Sequence, residues 1–109
     1  MIDVISELEK KFHEALVRTN EISIKQCRHN PRRIKRMMAE MGAVQTAKML
    51  MTSDPSTSGY LNMAECGCLD ITIEATMLHP EFAPLFTEKE LGEARRRLPP
   101  EIVESIARG

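Results

Sequence analysis

Ile5, Leu8, Phe12, Ala15, Thr19 and Ile22 follow one another at steps of three, four, three, four and three residues. That spacing puts six side chains on one stripe of an α-helix and does not suit the period-two alternation of a half-buried strand. The seam lasts about two and a half heptads, short of the roughly three or four that a coiled coil needs. The helix is therefore expected to pack into its own domain. Pairing of two copies through this N-terminal helix, giving a homodimer, is the other use of the same stripe.

The same period recurs downstream. His29-Asn30-Pro31 ends the first helix and opens a second over 31–41, because proline disfavours helical geometry just before itself and suits a first helical turn. Ile34, Met37, Met38 and Met41 then form its inner face, while Arg32, Lys35 and Arg36 face solvent. Gly42 is a left-handed cap, and Ala43 to Met51 makes a third helix with Val44, Ala47, Leu50 and Met51 inside. Met49 cannot share a stripe with both Leu50 and Met51, so one of the three lies near the surface.

Residues 52–59 have the small, polar, Pro- and Gly-containing make-up of a flexible surface loop. Tyr60 to Cys66 reads as a short helix stopped by Gly67, and Asp70 as the cap of another over Ile71 to Leu78. Ile71-Thr72-Ile73 is β-branched, yet no second convincing strand exists to pair with it. Glu81 to Phe86 is a tight turn gathering Phe82, Leu85 and Phe86. Thr87 and Glu90 form a capping box for a helix lined by Leu91, Ala94 and Leu98, and Arg95 to Arg97 complement its negative end. Pro99-Pro100 precedes a last short helix bearing Ile102, Val103 and Ile106.

Aromatic residues make up 4% of the chain, with no tryptophan, so the core falls to Leu, Ile, Met and Ala. The expected fold is all-α: one domain over 1–109, a bundle of five to seven mostly short helices with a longer first one. No apolar stretch approaches the roughly 20 residues that span a bilayer, so no membrane contact is expected. Acids at the N-terminus, where a secretory signal would carry positive charge, suggest the cytoplasm. Cys27, Cys66 and Cys68 fit that compartment, an odd count at irregular spacing being a poor disulfide framework.

The net charge of −1 conceals a polarised layout. Residues 25–36 carry six cations (Lys25, Arg28, Arg32, Arg33, Lys35 and Arg36) and no acid, and the chain on either side is acidic. Such a patch steers an anionic partner without making the whole protein a polyanion binder.

Catalytic and metal chemistry find little support. The cysteine and histidine pairs are C-x-H and C-x-C, which lack the CxxC or HxxxH spacing that points two ligands at one zinc ion. No residue activates a cysteine or hydroxyl nucleophile in the local sequence. Asp70 and Glu74 share a helix face, but a helix cap accounts for Asp70, and a bond to neighbouring backbone or a pair with an arginine accounts for Glu74. No cofactor is implied. The basic run remains: Arg28, Arg32, Arg33, Lys35 and Arg36 as a partner-binding surface, with a protein partner favoured and nucleic acid the alternative. A helix-turn-helix fits poorly, since the second helix offers only Gln45, Thr46 and Lys48 to bases.

GAVQTAKMLM and SGYLNMAECGCLDITIEATMLHPEFAPLFTEKELGEARRRL, spanning 42–98 and most specific over Leu69 to Leu98, resemble a small helical domain met in many bacterial chains. That domain stands alone or is attached to larger proteins, some of them nuclease-like. The resemblance implies a helical accessory module that contributes binding, and it transfers no catalytic residue.

Overall fold

Phe12 and Leu16, one turn apart on helix α1 (Val4–Cys27), are fully buried and mark where the core lies. A computed structural model of the chain describes residues 4–28, 31–53, 67 and 71–108, with side chains from Ser6 onward. Along this chain follow α2 (Arg32–Met51), α3 (Ile73–Met77), a 3₁₀ helix (Pro80–Leu85), α4 (Glu88–Arg97) and α5 (Pro100–Ala107). No strand occurs among the described residues, so the fold is all-α with a long N-terminal helix. The radius of gyration is 13.0 Å, in line with the ~13 Å expected of a folded chain of this size.

Phe12 packs edge-on against Phe82 and Phe86, with ring centroids 5.2 Å away in both cases. The 3₁₀ helix is thus clamped onto α1, and each edge-to-face pair adds about 0.5 to 1.5 kcal/mol beyond the area it buries. Ile34, Met37, Met38, Ala47, Leu50 and Met51 of α2 complete the main cluster with Ile73, Met77, Leu91 and Ala94. A smaller cluster joins Ala75 to Leu98 and Ile106.

Within α2, two helical arms meet at a kink, as the expected break between 31–41 and 43–51 requires, with Gly42 between them at a non-helical φ +84° and ψ 162°. The φ is positive as expected of this glycine, but the ψ is extended, so the chain kinks without turning. Met49 is the exposed methionine of its trio. The N-cap of α3 is Thr72, whose hydroxyl accepts from the Ala75 N–H at 3.1 Å; the helix opens at Ile73, two residues later than an Asp70 cap would place it. The capping box of α4 forms as expected, Thr87 Oγ1 accepting from Glu90 N–H and Glu90 Oε1 from Thr87 N–H. The expected helix over 60–66, the loop over 54–59 and Asp70 itself lie outside the described residues.

Cys27 is half of a disulfide. Its partner lies outside the described residues, and the remaining cysteines are Cys66 and Cys68. The expectation of unpaired thiols fails here because spacing along a chain does not report which cysteines a fold brings within bonding distance.

Candidate partner-binding surface

Arg32, Arg33, Lys35 and Arg36 all project from the first five residues of α2, and all four are exposed. Lys25 and Arg28 extend the patch across the end of α1. None of these six forms an ion pair among the described residues. Four cations elsewhere are paired, Lys48 with Glu90 at 2.8 Å, Arg95 with Glu88 at 3.6 Å, Arg96 with Glu93 at 2.6 Å and Arg97 with Glu74 at 3.2 Å. Lys10, Lys11, Arg18, Lys89 and Arg108, scattered along the chain, form no ion pair among the described residues.

The four cations on α2 also sit at the wrong end of their helix. An α-helix N-terminus carries partial positive charge, which acids there stabilise and cations oppose by about 0.3 to 1 kcal/mol each at an exposed site. The first turn of α2 contains no acid. Its N-cap is Pro31, which supplies no side-chain bond. Arg28 adds backbone strain, with φ at +52°, a left-handed value uncommon for a residue bearing a Cβ. Departures from local rules of this kind concentrate where a surface serves something other than stability.

Beside the patch a groove of about 320 Å³ runs between α1 and α2, lined by Val17, Asn20, Glu21, Lys35, Met38 and Ala39, with His13 at one end. Among the described side chains of α1, Val17 and Ile24 are the two large apolar ones left exposed, at 39% and 37%. Asn20 is 9% exposed, and its Nδ2 donates to the thioether of Met38 at 3.7 Å, a weak acceptor. The run His13, Val17, Asn20, Ile24 was open to inspection in the sequence at steps of four, three and four, but the parallel run through Phe12 has more apolar residues and masks it.

Two other candidates are absorbed by structure. Glu74 is fully buried and bound to Arg97, so it is a framework residue. On the second arm of α2, Thr46 is fully buried and gives its hydroxyl to Gly42 O at 2.8 Å, while Lys48 is held by Glu90 and lies 5.5 Å from the Phe86 ring centroid. Of the three residues that a helix-turn-helix would offer to bases, only Gln45 is exposed, and the arms meet at Gly42 without the three- or four-residue turn of that motif.

Two carboxyls of α4, those of Glu90 and Glu93, are perturbed by this framework. Burial alone would push the Glu90 carboxyl up, but hydrogen bonds from Lys48 and the Thr87 N–H outweigh it and hold the group below the usual range. Hydrogen bonds from Arg96 and Arg97 do the same for Glu93. No helix among the described residues is long and apolar enough to cross a membrane. Comparison with family models, with curated proteins and with solved structures gives no match.

Proposed function

We propose that this chain is a non-enzymatic accessory or adaptor module that binds an acidic protein surface through Arg28, Arg32, Arg33, Lys35 and Arg36. One observation carries the reading: four exposed cations in the first five residues of α2, opposed by its dipole, with Arg28 exposed beside them, and none of the five paired with a carboxylate among the described residues. A merely solvated charged face would be expected to settle at positions where charge and dipole agree. The bacterial setting belongs to the same proposal and rests on the resemblance over 42–98.

The test replaces Arg32, Arg33 and Arg36 together by Gln. The melting temperature stays within a few degrees, since none of the three touches the core, while capture of acidic partners from nuclease-treated extract is lost. Equal loss of folding sinks the reading. Binding to a DNA duplex that falls log-linearly and steeply with salt favours the nucleic-acid alternative instead.

A cytoplasmic address is also part of this proposal and stands against the Cys27 disulfide, because cytosolic proteins seldom keep such bonds. Alkylation of intact cells before lysis decides it: a fully reduced Cys27 supports the cytoplasm, an oxidised one overturns it.

A further inference from the structure

The groove between α1 and α2 has properties that match α1 itself. Its floor is apolar, from Val17, Met38 and Ala39, and it carries one acid, Glu21, and one cation, Lys35. These two opposite charges line one groove yet make no ion pair with each other or with any described residue. At its centre a largely buried amide, Asn20, spends its N–H on a sulfur atom. An acid, a cation and an amide with hydrogen-bonding capacity to spare are groups that a second copy of the same groove can match under a two-fold rotation.

We propose that this groove is occupied by the α1 helix of a second copy, giving an antiparallel two-fold dimer. Antiparallel pairing centred beside Asn20 sets Val17 of one copy against Ile24 of the other. It brings the two Asn20 amides together across the axis, where each both donates and accepts. Glu21 of each copy then lies along the groove that holds Lys35 of its mate, so the same ion pair forms twice. The stripe involved, His13-Val17-Asn20-Ile24, is distinct from the seam through Phe12, which the protein's own core consumes. Lys35 is shared with the partner-binding reading, but Arg32, Arg33 and Arg36 take no part, so the inference goes beyond that reading and the two are tested on different residues.

The experiment measures self-association of the full chain by sedimentation equilibrium, from micromolar to hundreds of micromolar, at low salt. The wild type is expected to dimerise, and Val17→Asp to be monomeric with an unchanged circular dichroism spectrum. Glu21→Lys and Lys35→Glu should each weaken self-association by about tenfold or more, because symmetry repeats every unfavourable contact. Mixing these two variants should restore a dimer containing one of each, since lysine then faces glutamate at both sites. A wild type that stays monomeric throughout overturns the proposal. So does a dimer that ignores Val17→Asp, or a mixture that forms no heterodimer. Each outcome is read in mass and not in partner capture, so it is separable from the Arg32, Arg33 and Arg36 test.

Discussion

Arg97 and Glu74 meet at 3.2 Å with their side chains 2% and 0% exposed, and this pair ties three helices together. Arg97 stands at the end of α4, donates to Glu93 on its own helix at 2.7 Å, and reaches the carbonyl oxygens of Met51 at 3.4 Å and Ser53 at 2.7 Å. Those carbonyls close α2, where the last turn lacks intrahelical donors. One guanidinium therefore neutralises a buried carboxylate on α3 and satisfies the open end of α2. The cations that hold the fold and the cations at the start of α2 are thus separate populations.

Removing one side of this pair leaves the other as a buried charge, a loss of about 3 to 5 kcal/mol against a total stability of about 5 to 15. Arg97→Met should therefore lower the urea midpoint severely. Replacing both residues by Met should recover part of the loss, because two apolar side chains leave no unpaired charge. A single variant with a wild-type midpoint contradicts this account.

The depressed carboxyls on α4 set a pH dependence. Folding lowers Glu90 and Glu93 below the ordinary value of 4.5, so their contribution is present above that value and fades as pH falls through the folded ones. Glu93→Gln should be less stable than wild type at neutral pH, with the gap closing as the pH falls below the ordinary carboxyl value of 4.5 and through the lowered folded one. The effect is modest, because the Arg96 side of the contact is open to solvent and screening. Denaturant midpoints of the two proteins across that window give the answer directly.

What could be read in advance was local. Thr87 and Glu90, three residues apart, specify a cap whatever surrounds them, and Ile34, Met37 and Met38 specify a face. The α1 seam was less legible. A strict seven-residue repeat drifts about 20° per heptad around a straight helix, so Ile22 rotates toward the boundary while Leu16 and Ser23 enter the buried face. Three adjacent arginines at 95–97 are equivalent on paper, and only the position of Glu74 and the end of α2 selects Arg97 for burial. At the candidate site the cations were plain, but whether carboxylates already held them was a tertiary fact. The groove needed α1 and α2 side by side before Asn20, Glu21 and Lys35 could be seen together.

Gly42 is held by backbone geometry alone. A Cβ there would meet nothing within 4 Å, yet φ is +84° with ψ near extended, a region that L-residues other than glycine essentially avoid. Gly42→Ala should cost about 1 to 3 kcal/mol without touching a neighbour. Calorimetry would show that loss, and no loss would mean that α2 straightens at no cost.

Arg28 is the converse case, a cation kept at a backbone position suited to glycine, with φ at +52°. Left-handed geometry costs an ordinary L-residue about 1 to 2 kcal/mol, and glycine escapes it. Arg28→Gly should therefore raise the melting temperature while weakening partner capture. Opposite signs in the two measurements are the signature of a residue retained for binding. Loss of stability, or unchanged capture, would show Arg28 to be only the end of a helix.

Cys27, at the end of α1, is disulfide-bonded, and the other cysteines of the sequence, Cys66 and Cys68, stand about 40 residues further on; for a loop of that length the chain-entropy account predicts about 3 to 4 kcal/mol. Three cysteines with one bridge leave a single thiol. Thiol titration of the oxidised, unfolded chain should find one reactive group per molecule, rising to three after reduction. Peptide mapping without reductant then names the partner. Cys27→Ser should lower stability by an amount comparable to full reduction of the wild type, since both open the same loop. A variant as stable as the oxidised protein would mean that the bond forms without constraining the unfolded chain, and the ordering of α1 would then rest on Phe12, Leu16 and their neighbours alone.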